Sequence, residues 1–425
     1  MIVILITLDC VRKDYFNPDL MPQFFKDKQD WVSFSNAFSQ SQNTLSSHYT
    51  MFTSQYLFQH GVYSNYTSVP LPDFSLDNRL RSKYFETKAV CGISFLANQL
   101  GNKVGETDDI FSPYNSRVKK IIKKLMGERR KAQNVVSKGL KWLLDRGRGD
   151  NKFLWLHFFD AHMPYYSPKK YFKGNKTRAK NSVKEQIDSK GWFSPYFKEY
   201  EKKVDLSFFP ECYKGAISYI DNELNVFFSI LKKLDLYKES LIFLTADHGE
   251  CLLGDHNIFC AHKKLFDETV NVPLFVKFPE NKYGGEECNE IVEHTDIAPT
   301  IAGYANIEEE RYQGIDLSKL LSGKGKIRDF SFSEHVDNFM KAIRDKNFIY
   351  VERNGYVENK WQMKLEEENL FERSGKPYCD KDLEKTMKKK MDDFLKSMNY
   401  KSDLPSSEGK SSKEIEKQLK SLGYL

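Results

Sequence analysis

Three apolar runs that each end in an acidic residue constrain this chain more than any other feature. Leu241-Ile-Phe-Leu-Thr-Ala runs into Asp247 and His248. Met1-Ile-Val-Ile-Leu-Ile-Thr-Leu runs into Asp9, and Phe153-Leu-Trp-Leu-His-Phe-Phe runs into Asp160, with His162 two residues on. A short run of this kind reads as a strand buried on both faces, as in a parallel sheet. Parallel strands bring their carboxyl ends to one edge, where ligands bind. The pattern therefore predicts that Asp9, Asp160, Asp247 and His248 gather around one crevice. A carboxylate and an imidazole side by side can both reach one metal ion. Taken singly, each acid could equally cap the helix or turn that follows; the three together favour the crevice.

The rest of the chain fits that frame. Residues 2–8, 86–95, 153–159 and 241–246 read as strands, as does Val272-Pro-Leu-Phe-Val-Lys-Phe, and 44–54 and about 114–146 read as helical. Over 211–234, apolar Ile217, Ile220, Leu224, Phe227, Phe228 and Leu231 recur at spacings of three and four, which marks an amphipathic helix. Such alternation predicts an α/β fold, a mainly parallel sheet sandwiched by helices, over residues 1–325. Beyond that, short β-rich pieces (Asp329-Phe-Ser-Phe-Ser, Asn347-Phe-Ile-Tyr-Val-Glu) precede Lys-rich helical sequence from 380 onward. Residues 326–425 are therefore expected to form a small C-terminal α+β subdomain, with a polar hinge over 402–412. A length of 425 residues suffices for one large domain and such an appendage.

Several partner classes recede. A net charge of +6, from 65 basic and 59 acidic residues, does not call for nucleic acid. The basic segment 117–131 carries Arg117, Lys119, Lys120, Lys123, Lys124, Arg129, Arg130 and Lys131 around Val118, Ile121, Ile122 and Leu125. It reads either as a site for an anionic partner or as a solvated helix face with a packed apolar stripe, and the second is the commoner case. No apolar run approaches the ~18 residues of a membrane span. The first strand starts at Met1 and carries Asp9, which a cleaved secretory signal could not supply. The seven cysteines (Cys10, Cys91, Cys212, Cys251, Cys260, Cys288, Cys379) are scattered, with no Cys-x-x-Cys pair. They predict free thiols in a reducing compartment, and so a cytoplasmic protein.

Residues 41–62 read Ser-Gln-Asn-Thr-Leu-Ser-Ser-His-Tyr-Thr-Met-Phe-Thr-Ser-Gln-Tyr-Leu-Phe-Gln-His-Gly-Val. Here the chain resembles the sulfatases, within the alkaline phosphatase superfamily. Members follow the first Asp-ended strand with a (Cys/Ser/Thr)-x-Pro-Ser-(Arg/His) segment and a Tyr-x-x-x-His-Gly-Val-like close. In this chain Ser47 and His48 fill the Ser-His positions, Ser46 stands where proline is usual, and the close is Tyr56 to Val62. Phe153 to Pro168, Thr245 to Glu250 with Gly254-Asp-His256, His294 to Thr300, Gln313-Gly-Ile-Asp-Leu and the final Leu419 to Leu425 are similar to further family elements. The likeness covers nearly the whole chain in the right order. It is specific for family and silent on substrate.

The resemblance puts Thr44 in the nucleophile position. Sulfatases commonly convert a Cys or Ser there to formylglycine, which threonine cannot form because its β-carbon already carries a methyl group. The Arg of that modification motif is replaced by His48. A threonine oxygen can still attack phosphorus, activated by a divalent cation. It also starts a helix, whose amides favour an anionic ester. By the resemblance, Asp9, Thr44, Asp247 and His248 hold one divalent ion: Mn2+, Mg2+, Zn2+ or Ca2+. His162 and His262 meet substrate oxygens or the leaving group, with Lys263 a rival to His262. His256, His294 and His157 rank lower; His157 reads as core filler, and Cys10 as a small core residue.

The expected activity is therefore metal-dependent ester hydrolysis, as phosphoryl transfer from a phosphate mono- or diester through a covalent Thr44 intermediate. Three alternatives stand: a sulfatase acting without formylglycine, a phosphotransferase to a sugar or lipid hydroxyl, and a non-catalytic binding protein on the same fold. The expected partner is a small-molecule, glycan-linked or lipid-linked phosphate or sulfate ester. The loops 63–80 and 165–210, which would choose it, carry no readable motif.

Overall fold

The computed structural model describes residues 1–65, 67, 69–101, 106–107, 130–145, 149–163, 165, 167–173, 208–253, 259–261, 264–335, 340–353 and 369–400. Most of the basic segment 117–131, the greater part of 165–210, His256, His262, Lys263, the expected hinge and the tail fall outside them.

Among the described residues the main sheet has eight strands: β1 (Ile2–Leu8), β2 (Val32–Phe38), β3 (Glu86–Cys91), β4 (Glu106–Thr107), β5 (Lys152–Phe158), β6 (Leu241–Ala246), β9 (Leu274–Lys277) and β10 (Glu287–Glu293). Their order is β10-β2-β9-β6-β1-β5-β3-β4. Only β9 runs antiparallel to its neighbours, so the sheet is mainly parallel, as expected. A short hairpin, β7 (Cys251–Leu253) with β8 (Phe259–Ala261), follows β6.

The helices used below are α1 (Thr44–Thr53), α2 (Ala132–Leu143), α3 (Phe208–Lys233), α4 (Ile297–Tyr304) and α5 (Lys381–Ser397). The central strands β5 and β6 are buried along their whole length, which requires layers on both sheet faces. The strand expected over 86–95 stops at Cys91. At Gly92 an added Cβ would lie 2.8 Å from the Phe159 backbone nitrogen, so the chain passes β5 too closely for any side chain.

After residue 325 comes a separate antiparallel sheet of β11 (Ser331–His335), β12 (Met340–Arg344), β13 (Phe348–Arg353) and β14 (Leu370–Glu372). Met387, Met391 and Leu395 of α5 pack against Phe332, Ile343, Tyr350 and Leu370 of this sheet, with Tyr56 from the large domain in the same cluster. Arg328 ties the two parts together. Its guanidinium grips Asp296 at 2.6 and 2.5 Å and lies 3.4 Å from Glu293, which accepts the Phe332 amide at 2.9 Å.

Glu334 on β11 is buried, and desolvation pushes its carboxyl up to about 7, against the pull of the Tyr400 hydroxyl and Lys341. An unfolded glutamate titrates near ~4.3. Between about 4.3 and about 7 the folded state therefore keeps a proton that the unfolded state has lost, and stability falls as pH rises through that window. Urea midpoints of wild type and Glu334→Gln at about pH 5 and about pH 8 test this. The variant should gain on wild type at the higher pH; equal differences at both values would show that the carboxyl is not raised.

Candidate active site

The central strands set the site by register. Thr7 of β1 lies opposite His157 of β5 and Thr245 of β6. Asp9 and Asp247 each sit one residue beyond their strands, so both carboxylates reach the same sheet edge. Asp9 is anchored by its amide, which donates to the Phe158 carbonyl at 2.8 Å. Asp247 Oδ1 accepts the His248 amide at 2.8 Å and the Cys10 amide at 3.2 Å. Gly249 is required by space: an added Cβ would stand 2.1 Å from the Glu268 carbonyl oxygen.

Thr44 enters from α1, which is buried over its full length beside these strand ends. Its Oγ1 lies 3.3 Å from His248 Nε2. His248 Nδ1–H donates to the Gly249 carbonyl at 2.8 Å, so Nε2 carries the lone pair on the side of Thr44. The ligand atoms of Asp9, Asp247 and His248 all lie within 4.8 Å of one another. Thr44 is the first helical residue, as expected, but the neighbouring helix-start amides are already used. Asn43 takes the Ser46 amide and Asn65 takes the Leu45 amide at 3.0 Å. Those two donors are not on offer to an ester.

Two histidines behind these groups orient them. His157 Nδ1 accepts the Gly92 amide at 3.3 Å, which places its proton on Nε2, and Nε2–H donates to Asp9 Oδ2 at 3.2 Å. His48 Nδ1–H donates to the Thr44 carbonyl at 2.7 Å. Its Nε2 accepts from the Thr7 hydroxyl at 3.0 Å, which in turn accepts Trp155 Nε1–H at 2.9 Å. Burial pushes His157 down to about 4 and His48 down to about 3, so both are neutral and their tautomers are set by these partners. Hydrogen bonds of this kind from a second layer orient ligands and tune their basicity.

The donor set fits a divalent cation. Asp9 and Asp247 are fully buried, and among the described residues Asp9 Oδ1 and Asp247 Oδ2 have no hydrogen-bond partner. Desolvation, then the charge of Asp9, raises Asp247 above the usual carboxylate range. Two buried carboxylate oxygens without a hydrogen-bond partner are costly unless a cation neutralises them. A second group, His48, His157 and Asp247, is equally compact. Its four ring nitrogens, however, are all engaged in the hydrogen bonds above, which leaves Asp9, Asp247 and His248, with Thr44, as the better site.

Residues 2–307 match the family model described as "Sulfatase", and residues 254–401 match that of the N-sulphoglucosamine sulphohydrolase C-terminal region. The chain belongs to the sulfatase family. An arylsulfatase of Clostridium perfringens is 26% identical over 239 residues, 52% of this chain and 49% of that protein. The chain thus spans about half the length of this curated relative. Among solved structures, a phosphonate monoester hydrolase from Silicibacter pomeroyi superposes with a TM-score of 0.70 at 17% identity, covering 95% of this chain and 96% of the other. A structure bound to D-glucosamine-2-N,6-O-disulfate gives 0.66 at 14% identity, covering 96% and 99%. At these identities the likeness is one of fold.

Several of the family motifs in this chain are scaffold. His60 accepts the Val62 amide at Nδ1 (3.0 Å) and donates from Nε2 to Thr50 Oγ1 (3.2 Å), which ties the His-Gly-Val close to α1. Gln313 and Gly314 donate their amides to the Ser54 carbonyl and hydroxyl, both at 2.9 Å, at the other end of α1. Asp296 anchors Arg328 before α4.

The remaining expected residues divide. His162 does reach the crevice: it stacks on Phe159 at 4.4 Å, its Nδ1–H donates to the Met163 carbonyl, and its ligand atom lies within 4.8 Å of those of Asp9 and Cys10. Asp160 does not join the cation site. Its Oδ1 accepts the Ala132 amide at 3.3 Å, at the start of α2, a helix that precedes β5 in the chain rather than the one that follows it. His294 is a buried neighbour, 3.4 Å from the Thr245 hydroxyl. His262 lies outside the described residues. His157, ranked low in the sequence, is the residue that reasoning missed, and no local signal could have raised it: its bond to Asp9 depends on strand register.

Proposed function

We propose that this sulfatase-family chain is a metal-dependent ester hydrolase that transfers a phosphoryl group, from a phosphate mono- or diester, through Thr44. The observation that carries the reading is the place of Thr44 Oγ1. It stands 3.3 Å from His248 Nε2, at the compact group of Asp9, Asp247 and His248, on a residue that cannot become formylglycine. Asp9, Thr44, Asp247 and His248 would hold one divalent ion, which supplies Lewis acidity for the Thr44 hydroxyl and for charge on the ester oxygens. Thr44 Oγ1 forms the new bond to phosphorus as the alcohol leaves, and water then cleaves the Thr44 ester. His162, and His262 by the family resemblance, are the groups placed to meet substrate oxygens or the leaving group. His157 and His48 hold Asp9 and the Thr44 turn in position through the bonds described. A completed set of donors argues against a binding protein that merely keeps the fold.

Sulfate ester hydrolysis without formylglycine is the second reading. It is favoured by the relatives, one named an arylsulfatase and one solved with a sulfated glucosamine. A phosphonate monoester hydrolase shares the fold, so the fold is compatible with phosphorus chemistry as well. Small-molecule, glycan-linked and lipid-linked esters are all compatible with the site. Side-by-side kinetics with Mn2+ on p-nitrophenyl phosphate, bis-p-nitrophenyl phosphate and p-nitrophenyl sulfate separate the two. A phosphate ester should be preferred in kcat/KM by about tenfold or more, that is about 1.4 kcal/mol or more in the barrier. A clear preference for sulfate would replace the first reading by the second.

A further inference from the structure

The proposed cation site leaves Cys10 unexplained, although it is buried at the same sheet edge. Its φ is +62°, in the left-handed region that non-glycine residues seldom occupy. Two bonds hold it there, and a third braces one of their partners. Its amide donates to Asp247 Oδ1 at 3.2 Å, and its carbonyl accepts the Tyr213 hydroxyl at 2.7 Å, while that hydroxyl accepts the Arg12 amide at 2.9 Å. A backbone held in a sparse conformation next to a candidate site points to a side chain that must face one way.

That side chain faces a second set of donors. Ligand atoms of Asp9, Cys10 and His162 lie within 4.8 Å of one another, and all three residues are buried. The set shares only Asp9 with the first. Cys10 Sγ is 3.8 Å from His248 Nδ1, the ring nitrogen on the far side from Thr44, whereas the first site uses Nε2. His162 has the matching tautomer, since Nδ1–H is given to the Met163 carbonyl and Nε2 carries the lone pair. Asp9 is common to both sets, and its Oδ1 is one of the buried oxygens with no hydrogen-bond partner among the described residues.

We propose that Asp9, Cys10 and His162 form a second metal subsite that takes a thiophilic divalent ion such as Zn2+, with Asp9 bridging to the first site. A thiolate, an imidazole and a carboxylate select Zn2+ or Co2+ over Mg2+ or Ca2+. Three protein ligands leave a fourth position open for water or substrate, the arrangement of catalytic zinc. On coordination the Cys10 thiol loses its proton to solvent and the sulfur lone pair forms the bond to the metal; no electron is transferred. His162 would then act on the ester oxygens through this ion. The inference rests on the proposed function only through the shared Asp9.

Titration of the metal-free full chain with Co2+ under anaerobic conditions tests it, read by bound metal and by the near-ultraviolet sulfur-to-cobalt charge-transfer band. Wild type should bind about two Co2+ and show the band, and Cys10→Ser should bind about one and show none. Asp247→Asn, which removes the first site's charge but keeps an amide oxygen to accept the Cys10 amide, should keep the band while binding about one. Wild type saturating at about one Co2+ without a band overturns the proposal, as does a band that survives Cys10→Ser. Should the serine variant fold poorly by circular dichroism, His162→Asn serves instead, and a folded variant that keeps both equivalents overturns the proposal. Asp247→Asn binding as wild type does would fault the first site and leave the thiolate band to stand, so the two failures are distinct.

Discussion

Replacing Asp247 by Asn should lower turnover about 10³-fold or more and remove one equivalent of bound metal. The carboxylate is fully buried, its Oδ1 orients the His248 and Cys10 amides, and its Oδ2 has no hydrogen-bond partner among the described residues. Asparagine keeps the shape and one acceptor oxygen but removes the negative charge, so the loss should fall on metal and turnover rather than on folding. About 4 kcal/mol of transition-state stabilisation corresponds to a 10³-fold change in rate. Steady-state kinetics with metal analysis of the same preparation check this. Wild-type turnover and metal content in the variant would remove Asp247 from the site.

Thr44→Ala should be at least as damaging, because it removes a cation donor and the attacking oxygen together. Thr44→Ser keeps the oxygen at the start of α1 and gives up one buried methyl, worth about 1 kcal/mol. Losing a covalent route costs several kcal/mol by comparison. The order of kcat should therefore be wild type, then Ser, then Ala about 10³-fold or more below wild type. The Ser46 and Leu45 amides at the helix start are held by Asn43 and Asn65, so neither substitution should unfold α1. Alanine close to serine in activity would mean that Thr44 is structural and that water attacks directly.

The three strands at the heart of the sheet were legible because they are buried on both faces, which makes each an unbroken apolar run. Asp9, Asp247 and His248 were legible for the same reason: a charged group at the end of such a run has no place in a core. That signal also overreached. Asp160 also follows β5 yet spends its Oδ1 on the first amide of α2, an earlier helix, and nothing local distinguishes such an acid from a metal-binding one. The strands β2 and β10 at one side of the sheet were not foreseen, since Ser33 and Asn36 interrupt the first and the outer half of the second alternates with exposed residues. Thr44 could be placed only through the family motif, because a threonine in Asn-Thr-Leu-Ser is unremarkable by composition. His157 and His48 were illegible as supports. Each reaches its partner across the sheet or a helix turn, and a histidine in an apolar strand reads as filler until its register is known.

The covalent step at Thr44 is the centre of this account, and brief exposure of the protein to a phosphate ester followed by acid quenching tests it most directly. Mass spectrometry of the digested protein should find the transferred phosphoryl group on the peptide that contains Thr44, at the mass of a phosphothreonine. The label should be absent from Thr44→Ala treated in the same way. A phosphoryl group on another residue, or rapid turnover by wild type with no labelled peptide at any quench time, would contradict a threonine nucleophile.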